Sequence, residues 1–220
     1  MKALNIVVRG DSLALPKVAR WEHSDLPGLC VRNSETFPEV LADQIERLTG
    51  RRPTVVNTSF RGMHWDLYEA GLGIGLEDMI ETLEADLFIS TFGGTMIWAY
   101  AIEGLSTDHA VDLGKVHVER LNALSAAFPA LSILLVTIPD PPARLVERYP
   151  TLIPMRDAYR EAVAERAAGP IHVVPTVSGE GLLHTDGQHY SVAGHRVVAD
   201  LLLERATQVG AVVAAGGPRG

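Results

Sequence analysis

Leu4-Asn5-Ile6-Val7-Val8-Arg9-Gly10-Asp11-Ser12 is the stretch on which the reading of this chain turns. Leu4 to Val8 is apolar except for Asn5 and is bounded by Arg9-Gly10-Asp11, the pattern of a short strand buried on both faces. Ser12 then stands just past the carboxyl end of that strand, where open α/β sheets place their ligands. Leu13-Ala14-Leu15 follows at once and predicts a helix whose first backbone N–H groups favour negative charge developing beside Ser12. A plain helix cap at Asp11 or Ser12 explains the same three residues. Their chemistry depends on what the rest of the chain brings to them.

Outward from this strand, residues 36–48 carry Phe37, Val40, Leu41, Ile45 and Leu48 near i, i+3, i+4 spacing, an amphipathic helix ended by Gly50. Residues 53–57 predict a second strand, with Thr58-Ser59-Phe60-Arg61-Gly62 as its turn. A helix over 76–83 turns Ile80 and Leu83 inward and an acidic, solvated face outward. A third strand over 86–92 ends in Gly93-Gly94, and a long helix over 108–128 follows. The fourth strand, 131–138, stops at Pro139-Asp140-Pro141-Pro142. A helix over 152–168, a fifth strand over 171–175 and a last helix over 191–208 complete the order.

Strands alternating with helices indicate a parallel sheet covered on both faces, a three-layer α/β/α sandwich with right-handed crossovers. One domain over 1–210 is expected, followed by a frayed Gly/Ala-rich tail over 211–220. Residues 16–34 read as a loop walling one side of the site. Gly71-Leu72-Gly73-Ile74-Gly75 follows no strand and lacks a P-loop lysine, so it reads as a flexible connection.

Composition narrows the function. With 47% hydrophobic and 21% charged residues the chain has ordinary globular make-up. A formal net charge of −8 argues against a nucleic-acid partner. The one cysteine, Cys30, excludes an intrachain disulfide and reads as a small, half-buried apolar residue rather than a nucleophile. Arg9 and Asp11 interrupt any apolar leader segment, and no run is long enough for a membrane span, so a cytoplasmic location is expected. The eight histidines show no metal-binding spacing. Neither a metal nor a cofactor is implied.

The second chemical block lies between the last strand and the last helix. In His184-Thr185-Asp186-Gly187-Gln188-His189 a carboxylate and an imidazole stand three residues apart across a glycine. A turn of that length can bring Asp186 to one ring nitrogen of His189 and leave the other facing outward. A serine hydroxyl needs such a base, and the base needs a partner that fixes its tautomer. The loops after the first and fifth strands both open at the carboxyl edge of a parallel sheet, so Ser12 and His189 can meet. The plainer alternative is a turn opened by Asp186, with His189 an ordinary polar residue before a helix.

With both blocks in view, the chain resembles the SGNH, or GDSL, superfamily of serine esterases and acyl-transfer enzymes from Gly10 to the final helix. The first block, Val8-Arg9-Gly10-Asp11-Ser12-Leu13, carries the nucleophile Ser12. The last, Thr185-Asp186-Gly187-Gln188-His189 followed by Ala193-Gly194-His195, carries the acid Asp186 and the base His189. The resemblance implies a five-stranded parallel sheet of flavodoxin-like topology. It also implies an oxyanion held by the Ser12 N–H, the N–H of a glycine after the second strand, and an asparagine side chain. The glycine block is similar to Asn57-Thr58-Ser59-Phe60-Arg61-Gly62, which puts that donor at Gly62. There the expected demand is close approach without a Cβ, an ordinary turn glycine being the alternative.

The third block departs from the family's Gly-x-Asn-Asp and reads Gly93-Gly94-Thr95-Met96. Thr95 stands where the amide should donate, with a shorter, freely rotating hydroxyl; a simple helix cap is its other reading. Loss of one oxyanion donor costs about 2.7–4 kcal/mol out of a total acceleration of about 8–23 kcal/mol, so a weaker donor slows such chemistry without abolishing it. Met96, Ile97, Trp98 and Tyr100 offer an apolar rim for an acyl group, with Ile97 also fitting the helix core. Arg61 and His64 flank Gly62 and suit a polar or anionic part of a substrate. Asp11, Arg61, Met96 and Trp98 are thus the expected substrate-contacting residues.

The resemblance implies an esterase or deacylase for a small-molecule ester, acting through an acyl-enzyme on Ser12. A biosynthetic O-acyltransferase using a sugar or metabolite hydroxyl is the alternative. A catalytically silent binding module is the third reading. No motif bears on oligomeric state.

Overall fold

The computed structural model describes residues 3–16, 30–71, 73–179, 181–184 and 188–213. Strands β1 (Asn5–Gly10), β2 (Thr54–Asn57), β3 (Leu87–Thr91), β4 (Ser132–Val136) and β5 (Ile171–Val174) form one sheet in the order β2-β1-β3-β4-β5. Every neighbouring pair is parallel, with Val7 opposite both Val56 and Phe88. The helices are α1 (Phe37–Thr49), α2 (Trp65–Ala70), α3 (Leu76–Thr82), α4 (Gly94–Ile102), α5 (Thr107–Ala127), α6 (Ala143–Arg148), α7 (Leu152–Arg166) and α8 (Val192–Gln208).

Side-chain alternation along the strands divides the interior in two. Val7, Phe88, Ile133 and Leu135 enter one core, with Leu121 of α5 and Met155 and Tyr159 of α7. Ile6, Val8, Leu87, Ile89, Leu134 and Val136 enter the other, with Leu41 and Ile45 of α1 and Val198 and Leu202 of α8. A parallel sheet buried on both faces needs continuous apolar strands, and these have them. The result is a three-layer α/β/α sandwich of flavodoxin-like strand order.

The expected elements are present with ends moved by a residue or two, the usual scatter of frayed termini. Three helices lie outside the expected order: α2 and α6, each six residues long and too short to show a helical period, and α4, which only the alternative cap reading of Thr95 and core reading of Ile97 implied. In place of the helix expected after Ser12 there is a single 3-10 turn, Ser12–Ala14, closed by Leu15 N–H donating to Ser12 O at 3.2 Å. Cys30, expected to be half-buried, is exposed. Of the loop expected over 16–34, residues 17–29 lie outside the described part. Of the expected tail over 211–220, residues 214–220 do too, but its start is not frayed: Val212 is 3% exposed and packs with Ala211 on the second core. Among the described residues no helix is long and apolar enough to cross a membrane.

Two buried histidines tie the layers together. His195 of α8 accepts through Nδ1 from the Phe37 N–H at 3.1 Å, seating α8 on the start of α1. His117 of α5 lies 3.0 Å from Ser90 Oγ through Nε2 and 2.8 Å from Tyr159 OH through Nδ1. Tyr159 OH donates to Phe92 O at 2.9 Å, so Nδ1 carries the His117 proton and Nε2 accepts from Ser90. Burial pushes His195 down to about 4 and His117 down to about 3.

Both imidazoles are neutral in the folded chain and titrate near 6.5 when it unfolds. The unfolded state therefore binds more protons as pH falls below about 6.5, and stability drops. Asp11, whose carboxyl is raised to about 6, opposes this over the window between about 6 and its unfolded value, but it is one group against two. The urea midpoint should fall between pH 7 and pH 5. His195→Asn, which retains an acceptor near Nδ1, should remove about 2 kcal/mol of that pH dependence. An unchanged slope in the variant would mean that His195 is not held neutral.

Candidate active site

The direction of chain progression reverses between β1 and β3, and the crevice beyond their carboxyl ends is the site that such sheets offer. The chain leaves β1 into Asp11, whose N–H donates to Thr91 O at 3.3 Å. The Asp11 side chain accepts from Leu13 N–H through Oδ1 and from Gly94 N–H through Oδ2, both at 3.1 Å. One carboxylate thus joins the Ser12 turn to the N-terminus of α4. Asp11 is 2% exposed, and burial pushes its carboxyl up to about 6 against the opposing pull of the Leu13 amide and His189.

His189 reaches Ser12 from the other end of the chain, with Nε2 2.8 Å from Ser12 Oγ. Its loop is pinched at the base. Leu183 and Tyr190 form an antiparallel bridge, His184 N–H donates to His189 O at 2.7 Å, and Ser191 N–H donates to Leu182 O at 3.0 Å. Tyr190 is fully buried in the second core, against the edge of His195. Asp186, expected to orient His189, lies outside the described residues, as do its neighbours Thr185 and Gly187.

Ser12 and His189 border a cavity of about 200 Å³. Asp11, Gly62, Thr95 and Trp98 also line it; Arg61 and Met96 do not. Of the expected α4 rim, Ile97 and Trp98 line the cavity beside Thr95, while Met96 and Tyr100 pack on the first core. Arg61 is exposed and donates to Pro16 O at 3.0 Å. Gly62 has φ +70°, and nothing lies within 4 Å of where its Cβ would be. That left-handed backbone by itself favours glycine, and the space beside the residue is open. Its loop is laced to the nucleophile turn by Phe60 N–H donating to Gly10 O at 2.9 Å and Asn57 Nδ2 donating to Ala14 O at 2.7 Å.

The far wall was missed from the sequence. Ile138, Pro139, Pro141 and Pro142 after β4, with Leu145 and Leu152, make it apolar, and Arg156 with Asp140 adds a polar pair to the lining. Arg156 donates to Asp140 at 2.6 Å and to Asp157 at 2.7 Å. The proline run reads as a strand terminator, yet the rule that places ligands beyond strand carboxyl ends applies to β4 as well. Among the described residues no cluster of three His, Cys, Asp or Glu could hold a metal.

No protein-family model matches this sequence, and no curated protein matches it by sequence. Solved structures do match in fold. The lipase Lip_vut3 from a goat rumen metagenome is 16% identical, aligns over 96% of this chain and 100% of its own, and has a TM-score of 0.69. A carbohydrate esterase family 3 protein from Talaromyces cellulolyticus is 14% identical over 94% of this chain and 97% of its own, with a TM-score of 0.60. A mutant acetyl esterase with acetate ion is 14% identical over the same shares, at 0.61. The chain has the fold of the SGNH/GDSL hydrolases.

Tyr190 anchors the loop that delivers His189. Tyr190→Ala should cost about 3–5 kcal/mol in urea unfolding, because it empties a fully packed site. Tyr190→Phe should cost about 1 kcal/mol or less, since only a hydroxyl is lost. Equal costs would show that the ring does not carry the anchoring.

Proposed function

We propose that this protein is a serine esterase acting on small esters with a short acyl group. The 2.8 Å approach of His189 Nε2 to Ser12 Oγ beside a largely apolar cavity is the observation that carries this reading. Ser12 Oγ attacks the ester carbonyl carbon while His189 takes its proton, and the carbonyl oxygen becomes the oxyanion of a tetrahedral intermediate. The N–H groups of Ser12 and Gly62, with the Thr95 hydroxyl, receive that charge. The intermediate collapses by breaking the bond to the alkoxy oxygen, to which His189 returns the proton. Water, deprotonated by His189, then attacks the acyl-enzyme and restores Ser12. Asp186 holds His189 in the tautomer this requires.

The cavity favours a small acyl group. Its volume of about 200 Å³ is small for a ligand pocket. Trp98, Ile138 and Leu145 supply apolar contact for such a group, and the Arg156–Asp140 pair adds a polar, charged contact to the lining. The likeness in fold to an acetyl esterase and a carbohydrate esterase supports a small ester of a sugar or similar alcohol.

A fluorophosphonate should label Ser12, by mass spectrometry, and His189→Ala should abolish the adduct. With p-nitrophenyl esters, kcat/KM should be higher for short acyl chains than for dodecanoate. Thr95→Asn should raise turnover about tenfold or more by supplying a fixed amide donor. An adduct that forms without His189 would overturn the nucleophile–base assignment. A silent binding module predicts turnover of no ester by either form, and a transferase predicts product only when an acceptor alcohol is added.

A further inference from the structure

Arg9 directly precedes the Gly10-Asp11-Ser12 turn and is 1% exposed. Its guanidinium points into the first core, where it donates through Nε to Thr58 Oγ1 at 3.1 Å and through Nη1 to Tyr68 O at 2.9 Å and Glu69 O at 3.4 Å. Nη2 donates to Ile74 O at 3.1 Å and lies 3.7 Å from Met79 Sδ. Burial of a cation is costly unless its donors are met. Here backbone carbonyls meet them, two from the last turn of α2, where a helix presents its negative end.

The partners are not scattered. Thr58 lies four residues before Gly62, and Tyr68 and Glu69 lie in the helix that follows it. One guanidinium therefore holds both ends of the segment carrying the Gly62 N–H. Gly71, read from sequence as part of a flexible connection, belongs to the same device. Its φ is +60°, and a Cβ there would lie 2.4 Å from Ile74 O and 2.7 Å from Arg9 Nη2. The glycine leaves room for the guanidinium, so this stretch is a cradle for Arg9.

We infer that Arg9 is a positioning residue for the oxyanion hole: by gripping Thr58 and the end of α2, it sets where the Gly62 N–H points relative to Ser12. The inference rests on the esterase reading above for its catalytic consequence, but not for its structural one. Lysine retains the charge yet lacks the planar fork that reaches Thr58, Tyr68 and Ile74 together, so it does not substitute.

The test compares wild type, Arg9→Lys, Arg9→Met and Thr58→Val in p-nitrophenyl ester hydrolysis, with active sites counted by fluorophosphonate titration. The kcat per titrated site should fall about tenfold to a hundredfold in the two Arg9 variants and several-fold in Thr58→Val, with KM within about twofold of wild type. Amide hydrogen exchange over residues 59–63 should speed up in each variant while β4 stays protected. A merely structural role predicts fewer titratable sites with unchanged kcat per site, and that result overturns the inference. Should Arg9→Met fail to fold, Arg9→Lys and Thr58→Val decide. If wild type takes up no fluorophosphonate, the esterase reading fails by itself. The exchange experiment still decides the positioning, because unchanged exchange over 59–63 in Thr58→Val overturns it.

Discussion

Two backbone N–H groups from distant segments, Leu13 and Gly94, converge on the single carboxylate of Asp11, and the site's geometry follows from that meeting. The sheet brings β1 and β3 side by side with Gly10 level with Thr91, but register alone does not orient the segments that leave the strands. Asp11 supplies that orientation. It fixes the Ser12 turn against the start of α4, and hence fixes Ser12 relative to Thr95 and Trp98. The cost is a buried carboxyl raised to about 6. The compensation is the N-terminal end of α4, whose unsatisfied amides and dipole favour negative charge.

Beneath this junction lies a connected polar run in the first core. Tyr159 of α7 holds Phe92 O, the carbonyl just before Gly93-Gly94, and is itself backed by His117 and then Ser90. Tyr68 closes the run at 2.8 Å from Ser90 Oγ, and its own carbonyl accepts from Arg9. The end of β3 and the end of β1 are thus braced by one connected set of hydrogen bonds. Such a network contributes little net stability per bond but penalises any rearrangement that leaves a member unpaired. It favours one geometry of the strand ends over its near neighbours.

What was legible in the sequence divides along physical lines. Strands such as Ile133-Leu134-Leu135-Val136 announce themselves because burial on both faces leaves no polar position. The carboxyl-edge rule brought Ser12 and His189 to the same rim, because in a parallel sheet every βα loop opens on one side. Within α4 the linear rim reading fits Ile97 and Trp98, but helical phase turns Met96 and Tyr100 onto the core. The need for Gly62 and Gly71 resides in backbone φ and in a guanidinium from another strand, and neither is written locally. The Pro139–Pro142 wall was obscured because proline signals the end of a strand more loudly than it signals a lining surface.

The same geometry bears on how an oxyanion would be held. The amides at the start of α4 face Asp11, with Gly94 N–H donating to it at 3.1 Å, so that helix end has little left to offer a substrate oxygen. On the esterase reading, stabilisation then falls to the N–H groups of Ser12 and Gly62, with Thr95 contributing a hydroxyl that must give up rotational freedom to help. A third donor is worth about 2.7–4 kcal/mol when rigid and less when it must be ordered during the reaction. As the number of fixed donors falls, the placement of each remaining one governs more of the rate. That is why a buried arginine committed to the ends of the Gly62 segment makes physical sense here: rigidity of the second donor offsets weakness of the third.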